Sequence, residues 1–487
     1  MALRAARLTR RRLALGLAAL PLLAACGQAA APTAAPTAPA RGGADVPTAA
    51  AKPAEPTKPA AEPAKSDAAP ARAAEPARSA APVTLVWDTF RGVGTPYPDE
   101  LIKAFRAKQP NITIEFRPLP TSQTDSYPKL YTMYAAGNIG DLYSFDPVDY
   151  EFFRAVPQGL VKSLDDYIAA DKYDLKQFFD TYMDLQRLNG KVWGLPAWGH
   201  PGDGGIVVNE LALNEAGLKV PDYTGPSWTM DAFYETAVKL HKASGGQVQR
   251  FGIDLGTALR HLTCIARGFN AELISEDGKK SLVMEPNAVK ALRWVNDLAQ
   301  KEKVMALPGS FQGSTDALFA TGKAGMHQAG ALAMFNVRDA IKDPNVTKMK
   351  AILFPRRPDG KHASQTRGGT WQVGSKSKAP EAGWEFVKHQ ASPEGALLFT
   401  KLSKSSVALV RPDILGDPFF ADPNFEPYKE TLLRAMPNVV PANARGTELQ
   451  DAFAQSFSLV YLGKVGFDQG VKDLNDALQR VLEKPTT

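Results

Sequence analysis

The chain has 487 residues, with 57 Lys and Arg against 51 Asp and Glu, for a formal charge of +6. That excess lies outside the folded part: residues 1–26 carry five Arg and no acid, residues 27–82 carry six basic and five acidic side chains, and residues 83–487 are therefore close to neutral. A neutral folded region lacks the basic footprint that nucleic-acid binding needs, and a chain whose only cysteines are Cys26 and Cys264 is not a disulfide-stapled scaffold.

The N-terminus reads as an export signal. Arg4, Arg7, Arg10, Arg11 and Arg12 precede an apolar run from Leu13 to Leu23, and Leu23-Ala24-Ala25-Cys26-Gly27 has the form of a lipobox, in which small residues before a cysteine permit cleavage and leave Cys26 as the acylated first residue. The run is shorter than the roughly 20 residues that a transmembrane helix needs. The expected location is the extracytoplasmic face of the plasma membrane, with a lipid as the only contact to the bilayer. Thr9-Arg10-Arg11-Arg12-Leu13 is compatible with a twin-arginine signal as well as with the general export route. From Gly27 to Pro82 alanine and proline dominate and there is no aromatic, leucine or isoleucine, so this segment cannot bury enough apolar surface to fold. As a flexible tether of 56 residues it spans roughly 40–45 Å.

Val83-Thr84-Leu85-Val86-Trp87 reads as a buried strand. A helix follows with Asp99 and Glu100 in its first turn and Leu101, Ile102 and Phe105 on one face, ended by Pro110-Asn111. Ile112, Ile114 and Phe116 alternate with polar residues as in a half-buried strand; a second helix carries Leu130, Tyr131 and Tyr134, and Asp141–Phe145 forms the next strand. This succession predicts an α/β fold with a parallel sheet, in which ligands bind beyond the carboxyl ends of strands. Those ends offer Trp87-Asp88-Thr89-Phe90-Arg91 and Ser144-Phe145-Asp146. Asn189-Gly190 predicts a hairpin turn. After Trp198-Gly199-His200, the stretch Gly202-Asp203-Gly204-Gly205 leads into the strand Ile206–Asn209 and is a candidate passage between domains. Thr229 caps a helix bearing Phe233, Ala237 and Leu240; Phe251–Leu255 is a strand, Glu285–Lys303 a long amphipathic helix, and Lys350–Phe354 and Gly368–Val373 are strands. The last sixty residues have helical periodicity, with Leu449, Phe453, Phe457, Val471, Leu474, Leu478 and Leu482 on buried faces.

Motifs for chemistry are missing from the chain. It has no G-x-S-x-G elbow, no phosphate loop and no H-E-x-x-H, and adjacent Asp165-Asp166 diverge on a helix start, so neither an enzyme nor a metal or other cofactor is expected. Cys264 reads as a small buried apolar residue on a helix, and Trp294 as a core residue beside Leu292 and Leu298. Trp87, Trp198 and Trp371 each lie at a strand end or glycine-flanked turn. An aromatic face beside Asp, Arg and Asn suits a sugar, which has apolar faces and a hydroxyl rim.

Several segments carry a family resemblance: Tyr134–Leu142 with its Gly137-Asn138-Ile139-Gly140-Asp141, Gly190–Pro196, Asn214–Pro221 followed by Ser227-Trp228-Thr229, Phe319–Met326, and Gly368-Gly369-Thr370-Trp371. In this order and spacing the chain resembles the extracellular solute-binding proteins of ABC importers, family 1, the group that includes the maltose-binding protein. The resemblance covers most of 83–487. It implies a two-lobed α/β fold of the periplasmic-binding-protein type II kind, with a hinge and a central cleft that closes on a solute. It places residues 83–203 and 372–410 in one lobe and 204–371 and 411–487 in the other, with crossings near Trp198–Gly205, near Gly368–Trp371 and between Lys404 and Asp422. It implies a monomer that binds a mono- or oligosaccharide and passes it to ABC permease subunits. The candidate ligand residues carried over are Trp87, Asp88, Arg91, Asp146, Trp198, His200, Gly330 and Trp371; Arg260 and Arg445 are added from local position. The chain departs from relatives in having Gly140-Asp141 where many have Pro-Asp, and its His200–Gly205 crossing is unusual, so the ligand class is not copied from any relative. A secreted carbohydrate-active enzyme and a surface sensor uncoupled from transport stay open as alternatives.

Overall fold

In a computed structural model, residues 82–147, 151–357, 359–360, 362–364, 366–403, 406–434 and 445–484 are described. The leader, Cys26, almost all of the tether and Met436-Pro437-Asn438 lie outside them. The strands among the described residues are β1 (Val83–Thr89), β2 (Ile112–Pro118), β3 (Leu142–Tyr143), β4 (Arg187–Leu188), β5 (Lys191–Val192), β6 (Leu195–Pro201), β7 (Gly205–Asn209), β8 (Lys242–Ser244), β9 (Gln247–Asp254), β10 (Ala324–Gln328), β11 (Met349–Leu353) and β12 (Thr366–Val373).

They build two five-stranded sheets and one hairpin. The first sheet has the order β2-β1-β3-β12-β6 and the second β11-β7-β10-β9-β8. In the first, β1 runs parallel to β2 and β3, as the strand and helix succession predicts, but β12 is antiparallel to β3 and to β6. The expectation of a parallel sheet is thus corrected to a mixed one, because β12 arrives by a crossing from the other sheet and β6 follows the β4–β5 hairpin, neither through a helix-bearing βαβ unit. In the second sheet only β9 and β10 are parallel. The β4–β5 hairpin turns on Asn189 and Gly190, both with positive φ (52° and 75°), the conformation an Asn-Gly turn supplies at least cost.

The chain first leaves one sheet for the other within three residues, Gly202-Asp203-Gly204, between β6 and β7. It returns between β11 and β12. Thr366 already pairs with Pro201, so this return lies upstream of Gly368–Trp371 and of the boundary at 372. Val407–Val410 then runs along β6, with Gly199 N–H donating to Val407 O at 3.0 Å and Leu409 N–H to Gly199 O at 2.8 Å. Beyond it the chain is fastened to the second sheet. The Ala351 N–H donates to Asn424 Oδ1 at 2.9 Å, and the Tyr428 hydroxyl to Ala329 O at 2.7 Å. The helices Gly446–Gln455 and Phe467–Leu482 bury Leu449, Phe453, Val471, Leu474, Leu478 and Leu482 in the core of the second sheet, on the helical spacing seen in the sequence.

Each sheet organises its own aromatic core. Trp87 is 1% exposed and meets Tyr97, Phe116, Trp371 and Phe386 edge-on at 5.4–6.2 Å between ring centroids. Phe233 gathers Trp228, Trp294 and Phe354 in the second core, and the Trp294 indole N–H donates to Met230 O at 3.1 Å. Cys264 is fully buried on the helix Leu259–Gly268. Asp88 ties the first sheet together: its carboxylate accepts from Arg117 on β2 and from the Gly140 N–H at 2.6 Å. A Cβ at Gly140 would stand 2.6 Å from Val86 O, which is why glycine precedes Asp141. Removing the Trp87 ring by Trp87→Ala is expected to lower unfolding free energy by about 3–5 kcal/mol, the cost of an aromatic-sized cavity, read as a lower urea midpoint at unchanged slope.

Candidate functional site

The end of β1 delivers Arg91 to Asp146, which follows β3. Their side chains form a buried ion pair, and the Asp146 Oδ1 also accepts the Thr370 N–H at 3.0 Å. The Arg91 guanidinium lies 4.7 Å over the Trp198 ring and 4.6 Å over Phe90, and Trp198 in turn lies 5.7 Å from the His200 ring. Gly369 is bare because a Cβ there would come within 1.9 Å of the Trp198 Nε1. Arg91, Asp146, Trp198 and His200, widely spaced in sequence, are thereby brought together.

His200 opens onto a cavity of about 310 Å³ that Arg260 and Gly330 also line. The cavity's walls come from both sheets: β6 and β12 contribute His200 and Arg367, while the ends of β9 and β10 contribute Asp254, His327 and Gln328. The passage between the sheets adds Asp203, and the helices beginning at Leu259, Thr315 and Ala331 add Arg260, His261, Asp316 and Asn336. This is the location expected for a ligand, beyond strand ends where connectivity changes sheet.

Two sets of buried charges face it. In one, the Asp203 carboxylate lies 3.2 Å from Arg260 Nε and 3.4 Å from His261 Nε2. The Ala258 N–H donates to His261 Nδ1 at 3.3 Å, so His261 is the neutral tautomer with its proton on Nε2. Burial holds its pKa down, against the pull of Asp203. Burial would raise the Asp203 pKa, but His261, Arg367 and Arg260 hold it well below the carboxylate range. His200 donates from Nδ1 to Pro201 O at 3.1 Å, and burial, reinforced by Arg367, lowers its pKa to about 4. In the other set His327 stands between two carboxylates, with Nδ1 2.6 Å from Asp254 and Nε2 3.2 Å from Asp316. Burial opposes its charge, yet the hydrogen bond to Asp254 and the nearby Asp316 carboxylate prevail and raise the pKa to about 9, which favours the imidazolium at neutral pH. Gln328 links the sets: its Nε2 donates to Asp203 O at 2.5 Å and its Oε1 accepts the Gly256 N–H at 3.0 Å.

The other sequence candidates lie elsewhere. Trp87 and Trp371 are core residues in contact with each other, and Asp88 is consumed by Arg117 and Gly140, so these three are corrected from ligand residues to structural ones. They sit on β1 and β12, where a side chain near a strand end can point into packing as readily as into a cleft. Arg445 pairs with Glu448 at 2.7 Å at the start of its helix and is not among the cavity's lining residues. The sequence reading missed Asp203, Asp254, His261, Asp316, His327, Gln328 and Arg367. Asp254 and His327 sit at the ends of strands recognisable from their apolar runs, and the strand-end rule applied to the second sheet would have found them. Among the described residues no three His, Cys, Asp or Glu side chains are placed to hold a metal ion.

Residues 100–427 match the family described as bacterial extracellular solute-binding proteins. A protein of Brucella abortus strain 2308, named only as a binding protein, is 24% identical over 398 residues, covering 80% of this chain and 90% of its own. Among solved structures, the ABC substrate-binding protein of Listeria monocytogenes in complex with cycloalternan superposes with a TM-score of 0.70 at 19% identity, covering 83% of this chain and 100% of that one. UgpB of Mycobacterium tuberculosis in complex with glycerophosphocholine gives 0.69 at 16% identity, over 83% and 99% of the two chains. The acarbose-binding GacH receptor of Streptomyces glaucescens gives 0.67 at 19%, again over 83% and 99%. With a family match over two thirds of its length, the chain belongs to the bacterial extracellular solute-binding proteins.

Proposed function

We propose that the protein is a lipid-anchored monomer that captures a small carbohydrate in the cavity at the junction of the two sheets, closes on it and delivers it to the permease of an ABC importer. The observation that carries this reading is the cavity itself. It lies beyond strand ends of both sheets, and its carboxylates, Asp203, Asp254 and Asp316, are matched in number by Arg260, Arg367 and His327. A charge-balanced polar wall favours an uncharged, hydroxyl-rich solute over an ion. About 310 Å³ is near the lower end of ligand pockets, which suits one or two sugar rings. Sugars in two similar proteins, cycloalternan in the Listeria protein and acarbose in the Streptomyces one, support the class. The lipobox at Cys26 and the Ala/Pro-rich tether support anchoring, and no helix among the described residues is long and apolar enough to cross a membrane. Residues 83–203 with the segment from about 366 to 410 form one lobe of this reading and the remainder to 487 the other. His200, Arg260 and Gly330 touch the solute; Arg91, Asp146 and Trp198 back His200.

Calorimetry with a panel of mono- and disaccharides tests the reading. Binding of at least one, with compaction in small-angle scattering and a raised melting temperature, is expected; silence across sugars together with binding of a polyamine or phosphodiester refutes the carbohydrate class. Gly330 has φ −69° and ψ 173°, which any residue adopts, and its nearest neighbour to a new Cβ is Pro201 O at 3.3 Å. Gly330→Leu is expected to fill the cavity rim and weaken binding by about tenfold or more, with little change in ligand-free melting. Cys26→Ala is expected to move the protein from the membrane to the soluble fraction on cell fractionation. A fourth expectation concerns pH. The folded pKa of His327, about 9, exceeds the ordinary imidazole value of 6.5, so its contribution to stability is complete below pH 6.5 and is lost as pH rises towards 9. Urea unfolding is expected to show a loss on the order of 3 kcal/mol across that window, and His327→Gln to flatten it.

A further inference from the structure

We propose that the cavity takes a sugar bearing one acid group, a carboxylate or a phosphate, and seats that group on Arg260 at the start of the helix Leu259–Gly268, with the hydroxyl rim turned to Asp316. The inference rests on the solute-binding reading above and names the end group by which that solute is oriented.

The charges of the wall match in number but are sorted in space. Arg367 and Arg260 act on His200, Asp203 and His261, whereas Asp254 and Asp316 act on His327. In the first group burial keeps both histidines neutral at pH 7, with the His200 pKa lowered to about 4. Two guanidiniums therefore face a single carboxylate, Asp203, and that end of the cavity is net positive. The second group holds two carboxylates and one imidazole, so it is net negative whether or not the ring is protonated. The wall as a whole offers little to a bare ion, but it gives a solute with one acid end and several hydroxyls a single favourable orientation.

Within the positive end, Arg260 is the group placed to receive the acid. Its side chain is 39% exposed, against 10% for Asp203, and it lines the cavity. It approaches the Asp203 carboxylate at 3.2 Å through Nε, yet that nitrogen is buried and makes no hydrogen bond. The pair is thus held by charge alone. With Nε buried, the exposure lies on the rest of the side chain, whose planar fork of N–H groups suits the bidentate contact that carboxylate and phosphate oxygens make. Arg260 is also the second residue of a ten-residue helix, and Gly256 and Thr257 just ahead of that helix line the cavity. An anion on Arg260 therefore lies at the positive end of the helix dipole, which adds to the attraction. A hydroxyl in the same place would make only a weaker contact and leave the positive end uncompensated. At the other end Asp316, 29% exposed, accepts from hydroxyls.

The test uses the purified full chain at pH 7 and measures by calorimetry the binding of glucose, galactose and mannose, each against its uronate and its 6-phosphate. The expected result is that at least one acid binds about tenfold or more tightly than its neutral parent, the worth of one charge-assisted hydrogen bond; uronate against phosphate then names the acid. Arg260→Gln is expected to bring that acid and its parent within about threefold, and Arg260→Lys, which keeps the charge, to retain most of the gap. Ligand-free melting of both variants checks that the fold is kept. Acids that bind no more tightly than their parents, or a gap unmoved by Arg260→Gln, overturn the proposal. If no sugar of either kind binds, the carbohydrate reading fails, and inorganic phosphate alone then decides Arg260. A rise in melting temperature with phosphate that Arg260→Gln abolishes supports the acid seat, and no rise, or one that survives Arg260→Gln, overturns it.

Discussion

The passage of three residues between β6 and β7 is the constraint on which the rest of the site depends. At Gly204 a Cβ would come within 2.5 Å of Ser364, and at Gly205 within 2.4 Å of Ala329 O, so two segments distant in sequence press on this backbone and exclude side chains. Asp203 alone projects from it. Its main-chain oxygen is held by Gln328, its carboxylate by Arg260 and His261, and the preceding Gly202 O by the Ser364 hydroxyl at 2.8 Å. Those partners come from three different segments, so one short crossing gathers them around a common space. The cavity is the volume left among groups that the crossing has drawn together.

Crowding six charged groups, several of them buried, around so small a space is costly unless each is partnered. The arrangement meets that condition by pairing every carboxylate with a cation and by keeping two of the three histidines neutral. Which histidines stay neutral follows from single hydrogen bonds. Pro201 O takes the His200 proton and the Ala258 N–H occupies His261 Nδ1, whereas His327 meets carboxylates on both sides. The same residue type thus has opposite charge states within one cavity, decided by what touches the second nitrogen.

Much of the fold was legible because it is written in local pattern. The alternation around Ile114, the Asn189-Gly190 turn, the buried Cys264 and Trp294 and the spacing of the C-terminal helices all reflect periodicities that a single segment carries. The mixed character of the first sheet was not legible, since nothing within Thr366–Val373 says which neighbour it will join or in which direction. For the site, the tryptophans misled. Trp87 shares the core face of β1 with Leu85, two residues back, while Trp198 lies on the crossing strand against Arg91, yet both are aromatic residues near strand ends beside polar neighbours. The cavity's charged residues escaped for a different reason: Asp203, Asp254, Asp316, His327 and Arg367 are single polar residues, far apart in sequence, with no mutual spacing to detect.

Moving Trp87 and Trp371 into the core changes how a solute must be held. A stacked platform recognises a sugar through its apolar face and tolerates sliding along that face. Among the cavity's described lining, Phe311 is the one carbocyclic ring, so recognition falls on directional hydrogen bonds from fixed charged groups. Those groups are shared out between the sheets: His200 and Arg367 belong to the first, Asp254 and His327 to the second, with Arg260 on the helix that follows β9. A solute that bonds to both sets has a free energy that depends on the separation of the sheets, whereas a solute that bonds to one set has none. Only the former can shift the balance between open and closed forms, because a ligand moves an equilibrium by no more than its difference in affinity for the two states. On the proposed reading, the division of the charged wall between the two sheets is what would let an occupied cavity differ in shape from an empty one.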